Sequence, residues 1–527
     1  MSPERSGPKV AGDAGAIPTS PLAMAPSPFG TTGGEGDLTL ELVRRLCDTL
    51  VREGIPYCHW KSNDVIDGSA AGDSDLDLLV DERHQRRFAE TIHALGFKDG
   101  RMPTKEPSPG VFHTFGLDAA TGKLVHLHVH HRLVVGDDMT KNYWLPIEQA
   151  YLSSTEQGPV FRLPTPTFEF VVFVLRMVLK HSTWDAILWG RGSLSPSEVR
   201  ELGSLLPRTD DEQARSVVRE HLPFIGLDLW ERCRHCLRPT TRNVAFRIVT
   251  AHRLERSLAQ GARRSPRLDP FVRIGRRAAH GFRRRVVKLD PVRARLGSGG
   301  ALIALVGGDG AGKSTAVEEV RRWLSKDLDV VTVHLGKPPR SLTSAVVNTV
   351  WRRGVRRVAD ASVNSEATVE GLAEDQLGGR GLVKLIRRVL ISRDRSIAYL
   401  RARRAADRGT IVISDRFPLP QVTLMDGPAT TGIARRRPRN VPLRLLASLE
   451  NRSYGRIHEP DILIVLRVDP EVAVQRRSGT ESEGSVRQRA AEIWDLDWSG
   501  LNAVVIDAGA PKDRVLAEIR SAIWARL

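Results

Sequence analysis

The chain has 527 residues, 41% of them apolar, and a formal net charge of +17. That length suits about two or three domains with cores of their own. It has no apolar run long enough to span a bilayer and no basic-then-apolar leader, and its four cysteines are too few for a disulfide framework, so a reducing cytoplasm is the expected compartment. The positive charge favours anionic partners, for which nucleotides, nucleic acid and an anionic lipid surface all qualify.

Residues 1–36 are rich in Pro, Gly, Ser and Ala and poor in large apolar side chains, a composition that cannot repay chain entropy and predicts a disordered tail. Asp37 is placed to cap an amphipathic helix carrying Leu38, Leu42, Leu46 and Leu50. A short strand, Pro56 to Trp60, leads to Lys61. The segment Gly72 to Val80 then sets Asp75 and Asp77 two residues apart on a strand, so that both carboxylates share a face, as a pair of divalent cations holding a triphosphate would require. A helix from about Arg83 to Leu95 and two strands, near Val111–Leu117 and Leu124–His130, follow. On the last strand His126, His128 and His130 alternate onto one face, which suits either metal ligation or a half-exposed polar rim.

The segment from about 40 to 190 resembles the nucleotidyltransferase superfamily, in particular a bacterial branch with a lysine ahead of the paired aspartates and a helical tail. Lys61, Asp75 and Asp77 carry that resemblance, and Lys180-His181 sits where the branch has a similar pair. The resemblance implies an α+β domain over 37–160, with Asp75 and Asp77 as metal ligands, and a helical extension over 161–252. The third acidic residue of that family is missing, and His126 or His128 stands in its place. Histidine suits Mn²⁺ or Zn²⁺ better than Mg²⁺, which prefers oxygen.

The extension reads as helices at 168–179, 196–206, 211–221 and 228–237. Cys233 and Cys236 have Cys-x-x-Cys spacing but no second pair, so buried thiols are the simpler reading. Residues 253–298 read as a basic linker. Within it, 263–295 hold twelve Lys/Arg against two Asp, interleaved with apolar residues, and that pattern also fits a basic helix on an anionic surface. Gly297-Ser-Gly-Gly300 marks a domain boundary.

The next stretch is the most informative in the chain. Ala301 to Val306 is an apolar run of buried-strand type, and Gly307-Gly-Asp-Gly-Ala-Gly-Lys-Ser-Thr315 follows it. Gly307, Gly312, Lys313 and Ser314 fit the G-x-x-x-x-G-K-[ST] spacing of a phosphate-binding loop. Gly307, Asp309, Gly310, Ala311, Gly312, Lys313, Ser314 and Thr315 form the candidate ATP site. In it Lys313 would reach the β- and γ-phosphates and the Ser314 hydroxyl would sit on Mg²⁺. Beyond lie strands at 330–333, 410–414, 462–466 and 503–506, separated by helical stretches that include 343–408 and 511–527. That alternation predicts an α/β class with a parallel sheet flanked by helices, and ligands at the strand C-termini.

Residues 299–527 are similar to the thymidylate kinase branch of the nucleoside monophosphate kinases. The residues carrying the likeness are Asp309 inside the loop, Asp415-Arg416 after a strand, Pro460-Asp461 before one, and the terminal strand and helix. The resemblance implies ATP-dependent phosphoryl transfer to a nucleoside monophosphate or related phosphorylated small molecule. Asp415 would stand near Mg²⁺, Arg416 on the acceptor phosphate, and Arg476 and Arg477, or Arg487 and Arg489, in a lid. The family's Arg-Glu-Pro segment is absent, and Pro418-Leu-Pro-Gln421 and Met425 to Pro428 replace its base-binding run. The donor half is therefore intact and the acceptor half rewritten. The alternative is an NTP-binding regulatory or assembly protein whose loop domain gates the N-terminal domain; a homodimer is compatible with either.

Overall fold

The computed structural model describes residues 38–103, 110–238, 240–241, 243–285, 293–336, 338, 379–422, 441–477 and 482–527. The tail at 1–36, the residue Asp37, the 343–378 part of the expected helical stretch and the segment Met425 to Pro428 lie outside them.

The N-terminal sheet holds β1 (Tyr57–His59), β2 (Leu76–Val80), β3 (Lys98–Arg101), β4 (Val111–Leu117), β5 (Leu124–His130) and β6 (Arg295–Leu296). They lie in the spatial order β1-β2-β5-β4-β3-β6. Only β2 and β5 run parallel; the other neighbours are antiparallel. Helix α1 (Glu41–Arg52) covers this sheet through Leu42, Val43, Leu46, Cys47 and Leu50, which recur at helical spacing and are buried. Its N-cap position is Leu40, with no side-chain cap; instead the Leu40 amide donates to the Ala70 carbonyl.

Helix α2 (Pro166–His181) is almost wholly buried and is the axis of the helical extension, around which shorter helices pack through Leu205, Val218, Trp230 and Leu254. Lys180 and His181 at its end both pair with Glu198, at 3.0 Å each, and Glu198 also closes the capping box of the helix that starts after Ser195. The Lys-His pair thus fixes a helix junction. Cys233 and Cys236 are buried free thiols, and burial raises both above the usual thiol range.

Within 253–298, the stretch read as a basic linker, the described residues are 253–285 and 293–298. They include α3 (Asp269–Arg285), docked by Arg273 and Arg277. Arg273 is fully buried, 3.0 Å from Asp185 and 3.5 Å from Asp269; Arg277 reaches Asp185 at 2.8 Å and Asp137 at 2.5 Å. Arg276 donates to the Met139 carbonyl and Arg295 to Asp329. Much of the local positive charge is therefore spent inside the fold.

The second sheet is parallel throughout. Its strands β7 (Leu302–Gly307), β8 (Val330–His334), β9 (Ile411–Asp415), β10 (Ile462–Arg467) and β11 (Ala503–Asp507) lie in the order β8-β9-β7-β10-β11. Residues of β7 alternate between two cores. Ile303 and Leu305 pack with α4 (Lys313–Leu324) and, further along the chain, α8 (Lys512–Arg526). Leu302, Ala304 and Val306 pack with Ala398, Tyr399 and Ala402 of α5 (Gly379–Asp407) and with Ile493. Helices on both faces explain why the strand is a continuous apolar run. Between them in sequence, α6 (Pro470–Arg477) and α7 (Glu483–Asp495) close over the end of β7.

The glycine boundary at 297–300 does not separate independent bodies. Thr39–Leu527 is one compact unit, and Phe115 and Leu124 of the N-terminal sheet share a core with Ile303, Leu324 and Trp524. The Trp524 indole also donates to the Gly96 carbonyl at 3.1 Å. Among the described residues, no helix is long and apolar enough to cross a membrane.

Replacing Arg273 by Ala leaves Asp185, buried at 0% exposure, with one cation fewer. Loss of a partner from a buried ion pair costs about 3–5 kcal/mol, so the denaturant midpoint should fall markedly. An unchanged midpoint would show that the Arg277 pairs hold α3 without Arg273.

Candidate functional site

The glycine run 307–312 begins at the last residue of β7 and ends at the N-cap of α4, so it leads straight into a helix N-terminus, whose free amides suit an anion. Gly310 and Gly312 both have φ of +81°, a conformation that β-carbons disfavour. At Gly308 the need is space: a β-carbon there would stand 2.8 Å from Cα of Ala490 on α7. The loop is therefore clamped between the sheet and the two covering helices.

Lys313 is the first residue of α4, yet its ammonium folds back to donate to the carbonyls of Gly307 at 2.9 Å and Gly308 at 2.7 Å. It is 8% exposed, and burial, only partly countered by Asp309, lowers its pKa to about 8. Asp309 is 2% exposed and collects positive charge: Arg489 at 2.7 Å, with Lys313 and Arg416 each at 4.0 Å. Ser314 and Thr315, by contrast, are exposed at the mouth of the loop.

Asp415 ends β9, in register with Leu305 of the neighbouring β7. Its Oδ1 is buried and has no hydrogen-bond partner among the described residues. An orphaned carboxylate oxygen costs free energy, so a cation at this position fits the donor set, and Asp415 with the Ser314 hydroxyl would hold it. Arg416 follows with a φ of +53°, a left-handed conformation costing about 1–2 kcal/mol in a non-glycine residue. Its side chain lies over Gly336, where a β-carbon would come within 2.7 Å of the Arg416 Cδ. Val306, Gly307, Lys313, Arg416, Phe417, Leu419 and Val422 line a small cavity beside the loop.

The four arginines named for a lid have different positions. Arg476 donates to the Ala508 carbonyl at 2.9 Å and the Gly310 carbonyl at 3.4 Å, bracing the loop backbone. Arg477 lies close enough to influence Lys313. Arg487 makes a two-pronged surface pair with Glu471, while Arg489 faces inward onto Asp309. The family likeness put Arg476 and Arg477 among the catalytic residues, with Arg487 and Arg489 as further lid candidates. The contact between Ala490 and Gly308 is what singles out Arg489, and it arises from tertiary packing.

A second cluster lies on the N-terminal sheet. Because β2 and β5 are adjacent and parallel, Asp77 stands opposite His128. The Asp77 Oδ1 is 2.8 Å from the Lys61 ammonium, 2.9 Å from His128 Nδ1 and 3.9 Å from His130 Nε2. Asp75, which precedes β2, bonds His126 Nδ1 at 2.8 Å, and His126 in turn meets His113 at 3.0 Å. Lys61 meets Asp77, and Asp75 lies near enough to feel the charge of Asp77, but both carboxylates already have cationic or imidazole partners. Although burial opposes ionisation of Asp77, Lys61 and His128 hold its pKa well below the carboxylate range. Burial lowers His128 to about 4 and keeps His130 neutral. His113 was not anticipated. Counting residue pairs back from the turn between β4 and β5 sets it opposite His128, so register carries the missing signal.

No known family profile matches the chain. It is 25% identical over 230 residues to the uncharacterized ATP-binding protein YghR of Escherichia coli K12, covering 42% of this chain and 86% of that protein. The same figures hold for YghR of Escherichia coli O6:H1 strain CFT073.

Nucleotide affinity should depend on the Lys313 proton. With a pKa near 8 the free ammonium is lost above that pH, so affinity for an ATP analogue should weaken as pH rises from 8, by up to about tenfold per unit. A fluorescent-nucleotide titration from pH 7 to 10 checks this. Lys313→Arg, which keeps its charge throughout that range, should flatten the profile.

Proposed function

We propose that the protein is an ATP-dependent phosphotransferase whose acceptor is a nucleoside monophosphate, dTMP-like, or a related phosphorylated small molecule. The observation that supports this most is the convergence of Lys313, Asp309, Asp415, Arg416 and Arg489 at the C-terminal ends of β7 and β9, where open parallel sheets bind ligands.

Phosphoryl transfer needs positioning and charge neutralisation more than covalent help. The loop amides and Lys313 bind the triphosphate, exchanging the Gly307 and Gly308 carbonyls for phosphate oxygens as partners of the ammonium. Asp415 and Ser314 would hold a Mg²⁺ ion, which would supply neutralisation of phosphate charge. Arg416 offers a planar fork to an anionic acceptor, and its guanidinium lies 4.0 Å from Asp309 of the loop. Asp309 keeps Arg489 at the site; an incoming anionic acceptor then competes with Asp309 for that guanidinium.

The rival reading, an NTP-binding regulator that gates the N-terminal domain, has its own support. Helix α4 starts at the loop and ends at Leu324 next to Lys326 and Asp327. The Lys326 ammonium reaches the Gly72 carbonyl at 3.5 Å, and Asp327 lies close enough to feel the charges of His126 and Asp75. The residues just past the end of α4 therefore lie near the second cluster.

Incubating the protein with ATP, Mg²⁺ and a panel of nucleotides and sugar phosphates decides between the two. Phosphorylation of one acceptor is expected; slow ATP hydrolysis with no acceptor modified favours the regulator. Lys313→Ala should abolish transfer with the fold retained, and wild-type turnover in that variant would rule out this site. Arg416→Ala should raise the acceptor KM far more than the ATP KM. Equal effects on both would reject the clamp.

A further inference from the structure

Among the described residues one cluster of His and acidic groups has the spacing to hold a metal ion, and it lies on the N-terminal sheet, away from the glycine loop. Asp77, His128 and His130 each offer a ligand atom, and all three atoms lie within 4.8 Å of one another. From these residues we propose that the N-terminal sheet carries a binding site for a borderline divalent cation of the Zn²⁺ type, with Asp77, His128 and His130 as its ligands and Lys61 as a resident competitor.

Three features carry the proposal. The first is geometric. Two histidines two residues apart on a strand project from the same face, and the adjacent parallel strand presents Asp77 directly opposite one of them. Ligands at Zn–N and Zn–O lengths of about 2.0–2.1 Å in a tetrahedron stand roughly 3.3 Å from one another. The distances from Asp77 Oδ1, 2.9 Å to His128 and 3.9 Å to His130, bracket that value.

The second feature is the state of His130. It is fully buried, and neither of its ring nitrogens has a hydrogen-bond partner among the described residues. A buried imidazole with two unsatisfied nitrogens is costly, and a cation facing Nε2 removes half of that cost. The neighbouring His126 differs: it is engaged by Asp75 on one side and His113 on the other, so it stands outside the ligand set.

The third feature is chemical. Two neutral imidazoles and one carboxylate form a donor set suited to Zn²⁺ or Co²⁺ and poor for Mg²⁺, which takes oxygen ligands. The Lys61 ammonium, 2.8 Å from Asp77 Oδ1, supplies positive charge where the ion would otherwise sit. Ion and ammonium therefore compete for one carboxylate, and removing the ammonium should favour the ion.

The test uses the full-length chain stripped of metal by chelation, then titrated with Co²⁺ and Zn²⁺ against a chromophoric chelator. One equivalent should bind, with visible Co²⁺ d–d absorption of an N/O ligand set, and Mg²⁺ at millimolar concentration should not displace it. His128→Gln and His130→Gln should each weaken binding by about 10–100-fold. Lys61→Met should tighten it by roughly tenfold or more. Lys313→Ala, in the separate loop, should leave it unchanged. Should His130→Gln fail to fold, His128→Gln and Lys61→Met decide, since misfolding does not mimic a gain in affinity. Absence of an equivalent tighter than millimolar, an equivalent that survives His128→Gln, or an affinity that Lys61→Met leaves unmoved overturns the proposal.

Discussion

The constraint on which the second half of the structure depends is the complete burial of β7. Its side chains alternate between a core shared with α4, α8 and the N-terminal sheet and a core shared with α5. A strand covered on both faces and paired on both edges cannot shift its register without exposing apolar side chains, so its C-terminal end is fixed in space. Everything the glycine loop does follows from that anchor. The loop must turn within a few residues into α4, and only glycines allow the backbone to pass as close as it does to Ala490 and Ala473.

Both charged clusters show how the fold handles buried carboxylates. Asp309 and Asp77 are nearly inaccessible, and each is surrounded by positive or polar groups contributed by distant parts of the chain. Asp309 draws Arg489 from α7 and Arg416 from the end of β9; Asp77 draws Lys61 and His128. A buried charge is tolerated only when paired, so these contacts hold the side chains in place before any ligand arrives. Arg273, Arg277, Asp185 and Asp137 follow the same logic without adjoining either cluster, and there the result is a docked helix.

The shared core gives the two halves of the chain a common mechanical frame. β6 joins the N-terminal sheet one turn before β7 begins the parallel one, and the C-terminal helix α8 returns to place Trp524 against Gly96. Helix α4 runs from the glycine loop along this shared core, to which it contributes Ala316, Val320 and Leu324.

Much of this was legible in the chain itself. Periodicity located β4 and β5 to the residue and the parallel strands within a residue or so, because a fully or half-buried strand leaves a period that one sequence displays. The loop spacing singled out Lys313, and the spacing of Asp75 and Asp77 implied a common face. Less legible were β3, β6 and α3. The first two are short and pair at an edge. The third looked like a solvated basic stretch because a lone sequence does not reveal that Arg273 and Arg277 have acidic partners some 90–140 residues away. Local sequence thus determined which segments became strands and helices and which residue types stood at their ends, since both depend on neighbours within a few positions. Only the tertiary structure decided that Arg489 rather than Arg487 meets Asp309, that His113 joins His126, and that Asp77 is already held by Lys61, because each of those contacts depends on which distant strand or helix packing brings alongside.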